Sequence, residues 1–186
     1  MPTKPGGSVF LLSDFGTGDE FAGVMRAVVA REAPGATVVD LTHEIRHFDV
    51  RAGALALERA APHLGPGVVV AVVDPGVGTD RRAVALSTPP SQGPCFLVGP
   101  DNGLFTFALE VLGGASAAVV LRRPDTRDDL GATFDGRDLF APTAARLWSG
   151  ASLDSLGSPL DPRELVRIEP PRLEVRSGVV ETEALW

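Results

Sequence analysis

Residues 68–87, VVVAVVDPGVGTDRRAVALS, decide the architecture of this chain. Val68 to Val73 run without a polar interruption. A strand with one wet face alternates apolar and polar side chains. An unbroken apolar run belongs to a strand covered on both faces, as in a sheet sandwiched between helices. The run stops at Asp74-Pro75-Gly76-Val77-Gly78, a dense turn signal, and Ala83 to Ser87 reads as the next, shorter strand.

Outward from this stretch, strand and helix signals alternate. Val9 to Leu12 reads as a doubly buried strand. Thr17 and Glu20 have capping-box spacing, and Phe21, Val24, Met25, Val28 and Val29 then repeat with a helical period until Pro34-Gly35. Thr37 to Leu41 reads as a strand and Val50 to Ala61 as a helix with Asp49 as its N-cap. Phe96 to Val98 and Ala117 to Leu121 read as strands, separated by a helix over Leu104 to Leu112. Residues 122–136 read as a long polar loop, followed by a helix with Pro142 in its first turn that ends at Trp148. The alternation predicts an α/β domain over residues 1–158, with a mostly parallel sheet sandwiched by helices. Pro159, Pro162, Pro170 and Pro171 mark residues 159–171 as a linker. Over residues 172–186, Leu173 to Val175 and Val179-Val180 flank Ser177-Gly178 as a β-hairpin, which either docks on the first domain or opens a second.

Composition excludes several function classes. The 186 residues carry a net charge of −7, which argues against a general nucleic-acid binder. Cys95 is the only cysteine, so an internal disulfide and a cysteine-based zinc site are excluded and a reducing, cytoplasmic setting is expected. No apolar run reaches the ~18 residues of a membrane span, and MPTKPGGSVFLL is too short in apolar residues for a signal peptide. Lys4 is the only lysine, so Schiff-base chemistry has no obvious agent.

Parallel α/β sheets bind ligands at the carboxyl ends of their strands. Three acidic motifs fall there: Ser13-Asp14-Phe15-Gly16, Asp74 to Gly78, and Pro100-Asp101-Asn102-Gly103. A fourth, Thr133-Phe134-Asp135-Gly136-Arg137-Asp138, precedes the last helix. Each alone is ordinary turn chemistry, but four on one edge point to a site. Arg81 or Arg82 can fold back across the glycine-rich turn towards Asp74 and keep it ionised. Phosphate-binding glycine loops and a Gly-x-Ser-x-Gly elbow are absent. His43, His47 and His63 lack metal-ligand patterning, so no metal site is expected.

The four motifs resemble the S-adenosyl-L-methionine (SAM) hydroxide adenosyltransferases, or SAM hydrolases, relatives of the SAM-dependent fluorinase and chlorinase. The matching segments are SDFGTGDEFAGVMRAV (13–28), VVDPGVGTDRRAVAL (72–86), VGPDNGLF (98–105) and TFDGRDLFAPTAARL (133–147). The resemblance implies an α/β domain followed by a small β-barrel, of which residues 172–186 would be the truncated start. It also implies a homotrimer, SAM as substrate, and no cofactor or metal. The implied reaction is attack of water or hydroxide on the 5′ carbon, giving adenosine and methionine. Asp14 matches the residue expected to hold the ribose hydroxyls, and Phe134 and Gly136 match positions lining the reacting carbon. Asp74 and Arg81 match two members of an Asp-Arg-His set that orients and activates water. The third member is histidine in the family pattern and Asp135 here. An aspartate ordinarily titrates near 3.9 and a histidine near 6.5, so this exchange predicts slow hydrolysis. The alternatives are a SAM- or adenosine-binding module without turnover and, less favoured, a halogenase, whose halide would be repelled by carboxylates.

Overall fold

The computed structural model describes residues 7–89, 95–123 and 134–170, together with the backbone of 173–176 and 179–182. The run at 67–72 forms β3 (Gly67–Val72), and β1 (Ser8–Ser13) lies beside it in parallel, with Val9 opposite Val68. Both are buried on both faces. Val9, Leu11, Val68 and Val70 enter the core under α1 (Phe21–Glu32) and α4 (Ala141–Trp148). Phe10, Leu12, Val69 and Ala71 enter the core under α2 (Val50–Ala60) and α3 (Thr106–Val111). Each fully buried valine or leucine contributes roughly 1.5–3 kcal/mol, which makes these two strands the stabilising centre of the sheet.

The remaining strands are β2 (Thr37–Thr42), β4 (Ala83–Ser87), β5 (Cys95–Pro100), β6 (Ala117–Leu121) and β7 (Gly157–Leu160). The order is β2-β1-β3-β5-β4-β6-β7. Pairs β1–β2, β1–β3 and β3–β5 are parallel, whereas β4–β5, β4–β6 and β6–β7 are antiparallel. The sheet is therefore mixed, with β4 and β7 reversed against the other five strands. The reason is connection length: seven residues separate Ser87 of β4 from Cys95 of β5, and a parallel pairing needs a crossover of a dozen or more residues. Strands β1, β2, β3, β5 and β6 still point their carboxyl ends to one edge, which also receives the amino end of β4.

Two local expectations are corrected. Thr17 and Glu20 form no capping box. Thr17 Oγ1 donates instead to Glu44 Oε1 at 2.8 Å, and α1 starts without a side-chain cap. Strand β7 runs into the stretch read as a linker, and residues 161–168 stay on the domain, with Leu165 buried in the α2/α3 core. Asp49 does cap α2, accepting from the Ala52 N–H at 2.9 Å. Strands β8 (Leu173–Arg176) and β9 (Val179–Thr182) pair antiparallel in a sheet of their own, and the turn between them lies outside the described residues. Most of the loop read over 122–136, Thr133 included, also lies outside them. Among the described residues no helix is long and apolar enough to cross a membrane.

Candidate active site

Chain order makes the crevice. From β1 the chain goes through α1 to β2 on one side, then returns through α2 to β3 on the other. The carboxyl ends of β1 and β3 thus flank a topological switch point, the usual ligand crevice of such sheets. Asp14 leaves β1 there and Asp74 leaves β3, and both side chains line one hollow of about 180 Å³. Phe134, Asp135 and Gly136 line it from the segment entering α4.

Asp14 is held by its neighbours. Its Oδ2 accepts from the Phe48 N–H at 2.8 Å and lies 3.3 Å from His47 Nδ1. Among the described residues these contacts fall on Oδ2, and none is made to Oδ1. Phe48 is the one non-glycine residue with positive φ (63°) among those described. A left-handed phenylalanine costs about 1–2 kcal/mol, and here it aims its amide at Asp14. The loop carrying Asp14 is also pinned from below. With the Phe15 N–H donating to Ser13 Oγ at 3.3 Å, the Ser13 hydroxyl is free to donate to His43 Nδ1 at 2.7 Å.

Asp74 sits in an Asx turn, with Oδ1 accepting from the Gly76 N–H at 3.1 Å. The turn folds Arg81 back onto it: Nε reaches Oδ1 at 3.0 Å and Oδ2 at 2.9 Å, and Nη2 also binds Oδ2. A Cβ on Gly76 would stand 3.1 Å from Arg81 Cγ, so the close return favours glycine. Arg81 Nη2 further donates to Asp135 Oδ2 at 2.5 Å, which bridges the two carboxylates. Burial acts to lower the Arg81 pKa. Hydrogen bonds to Asp74 and Asp135, with their negative charge, outweigh it and hold the guanidinium above its usual range. Arg81 stands behind Asp74 and Asp135 rather than on the wall of the hollow.

Asp135 starts a wide π-type turn, Gly136–Phe140, that leads into α4. An aspartate here would ordinarily cap the helix, but its side chain caps nothing and turns to arginines instead. Phe134 makes an aromatic wall with Phe15 and Phe21, at centroid distances of 5.6 and 4.9 Å. Gly136 lies against Phe15 and Met25. Among the described residues no cluster of three His, Cys, Asp or Glu side chains could hold a metal.

The structure therefore brings Asp14, Asp74, Phe134, Asp135 and Gly136 to one hollow, with Arg81 directly behind. It does not bring Asp101 there. Asp101 binds Arg82 Nε at 2.8 Å and the Val166 N–H at 2.8 Å, which anchors the segment after β7. Three neighbours of the site were not placed there from the sequence. His47 and Phe48 form a stacked rim, with ring centroids 3.7 Å apart. Arg123 binds Asp135 through Nη1 at 2.7 Å and Nη2 at 3.1 Å. The Arg122-Arg123 pair directly after β6 was the available signal.

Residues 9–157 match the SAM hydroxide adenosyltransferase N-terminal domain. The chain is 47% identical over 174 residues to the (R)-S-adenosyl-L-methionine hydrolase of Salinispora arenicola, covering 93% of this chain and 65% of that protein. It is 46% identical over 169 residues to the protein of the same name from Thermus thermophilus, covering 86% and 64%. A crystal structure of a conserved hypothetical protein, also from Thermus thermophilus, superposes with a TM-score of 0.73 at 44% identity, covering 88% of this chain and 62% of that one. The chain thus spans just under two thirds of the length of these relatives. A match that takes in the whole crevice, from β1 to the start of β7, makes the chain a member of the SAM hydroxide adenosyltransferase family.

Proposed function

We propose that the crevice hydrolyses S-adenosyl-L-methionine to adenosine and L-methionine. The observation that carries this reading is the bridge Asp74–Arg81–Asp135 beside Asp14 at one switch-point hollow. The names of the relatives, (R)-S-adenosyl-L-methionine hydrolases, support the same substrate and suggest the (R)-sulfonium form.

In this reading the free oxygen of Asp14 accepts a ribose hydroxyl, and Phe134 packs beside the 5′ carbon. A water held by Asp74 and Asp135 attacks that carbon. The C5′–S bond breaks, and its electron pair leaves on sulfur, which departs as a neutral thioether and needs no acid. The proton of the attacking water passes to a carboxylate and on to solvent. Arg81 touches neither substrate nor water in this scheme; it orients the two carboxylates. No cofactor and no metal enters. Because the water-holding pair is two carboxylates, proton removal is weakly driven and turnover is slow.

The reading extends to the assembly. SAM binds to a homotrimer, with β8 and β9 opening the β-barrel half of the pocket. The second reading, a binding module without turnover, is favoured by the same weak base. Incubation with SAM followed by chromatography separates the two. Adenosine formation that falls on Asp135→Ala supports hydrolysis, whereas calorimetric binding of SAM without adenosine release supports the module.

A further inference from the structure

We infer that Arg123 is a positioning residue of this site, which fixes the Asp135 carboxylate in orientation beside Asp74. The inference rests on the hydrolysis reading above.

Arg81 offers one positive charge to two carboxylates. The Asp74 and Asp135 side chains are only 5% and 6% exposed. Two buried carboxylates on one cation leave a negative charge uncompensated. Arg123 supplies the second cation. Its guanidinium reaches both oxygens of Asp135, the planar fork geometry that fixes a carboxylate in orientation as well as in charge.

The fold delivers Arg123 to this position. Val120 of β6 pairs with Val84 of β4, so the residues just past Leu121 stand beside those just before Ala83. Arg81 and Arg123 therefore reach Asp135 from neighbouring strands. Arg123 is off the wall of the hollow and 42% exposed, so it acts on a ligand only through Asp135.

The charged groups around Asp135 come from several elements. Asp74 follows β3, Arg81 precedes β4 and Arg123 follows β6. Asp14 and His47 stand on the same hollow from the loops after β1 and β2. Arg137 and Asp138, next in the chain, pair with each other, and α1 presents the apolar Met25 to the adjoining Gly136. Without Arg123 only Arg81 Nη2 still holds Asp135, and the acceptor offered to the attacking water is no longer fixed in orientation.

The test is a double-mutant cycle on the full chain. Arg123→Met, Asp135→Asn and the double variant are assayed for adenosine release across pH, with thermal unfolding as a control for folding. Arg123→Met is expected to lower kcat roughly tenfold at neutral pH while KM for SAM changes little. Arg123→Lys, which keeps the charge but not the fork, should fall between parent and Arg123→Met. In the Asp135→Asn background Arg123→Met should add almost nothing. A parental kcat for Arg123→Met, or effects that simply multiply in the double variant, overturns the inference and leaves hydrolysis standing. A parent chain that releases no adenosine overturns the hydrolysis reading itself, and the role of Arg123 falls with it.

Discussion

Arg81 and Arg82, consecutive in the chain, serve carboxylates in opposite layers of the fold. Arg81 turns to the α1/α4 layer, where its guanidinium carbon lies 5.4 Å from the Phe140 ring centroid and its nitrogens tie Asp74 to Asp135. Arg82 turns to the α2/α3 layer, donating to Asp101 and to the Glu164 carbonyl at 2.6 Å. Successive residues entering a strand point to opposite faces, so one dipeptide supplies both the site and an anchor for the chain that follows β7.

Arg81→Lys separates charge from shape. A lysine keeps the positive charge but cannot span two carboxylates with a planar fork. Misplacing reacting groups by about 1 Å can cost on the order of a hundredfold in rate. The expected outcome is a loss of that order in kcat/KM for adenosine release, with far-ultraviolet circular dichroism unchanged. A rate close to that of the parent would show that the guanidinium fork does not set the carboxylate geometry.

Asp101→Asn tests the anchor and should spare the site. The Asp101 side chain is buried, with one oxygen on Arg82 and the other on the Val166 N–H. Hydrogen bonds to a charged group are each worth about 1.5–3 kcal/mol, and asparagine replaces one of these acceptors with a donor. A loss of about 2 kcal/mol, or roughly 4–8 °C in the unfolding midpoint for a chain of this size, is expected. Adenosine affinity should hold, because Asp101 lies outside the hollow. An unchanged midpoint would contradict the anchoring role.

Half of the sheet was legible in the sequence for a physical reason. β1 and β3 are buried on both faces, so their patterns carry an unbroken apolar signal, and Asp14 and Asp74 follow directly from where those runs stop. The reversed strand β4 was not legible as such: Ala83 to Ser87 looks the same in either direction, and only the shortness of the connection to β5 distinguishes them. The return of Arg81 onto Asp74 spans seven residues of glycine-rich turn and could be anticipated. The contact of Arg123 with Asp135 joins residues twelve positions apart and depends on the β4–β6 register, which no local pattern records. Thr17 and Glu20 had the right spacing for a cap, but Glu44, distant in sequence, competes for the threonine hydroxyl. The left-handed Phe48 is set by Asp14 and was equally invisible, since phenylalanine has no intrinsic preference for that region.

Gly136→Ala probes how closely the hollow is built. The new methyl carbon would stand 3.2 Å from Met25 Sδ and 3.2 Å from two carbons of the Phe15 ring. Overpacking of this kind typically costs about 1–3 kcal/mol. Methionine yields readily, so the lower end, about 1 kcal/mol, is expected here. Because Phe15 also packs on Phe134, the displaced ring should narrow the hollow and weaken adenosine binding more than it weakens the fold. Calorimetry and thermal unfolding on the same sample check both. An adenosine affinity equal to that of the parent would mean that the Phe15 ring does not border the ligand.

Asp14 can be tested with two substitutions that differ in one respect. Asparagine keeps a carbonyl oxygen to accept the Phe48 N–H but removes the charge offered to a ribose hydroxyl. Alanine removes both. A charged hydrogen bond is worth about 1.5–3 kcal/mol, so Asp14→Asn should weaken adenosine binding by roughly 10- to 150-fold with little change in unfolding midpoint. Asp14→Ala should match that loss and also destabilise the fold by about 1–3 kcal/mol, because the Phe48 amide loses its acceptor while its strained backbone gains nothing. If the two variants unfold at the same temperature, the Phe48 amide has found another acceptor and Asp14 does not hold the rim. If asparagine binds adenosine as tightly as the parent, the free oxygen of Asp14 does not face the ligand, and the orientation of the nucleoside in the hollow must be reversed.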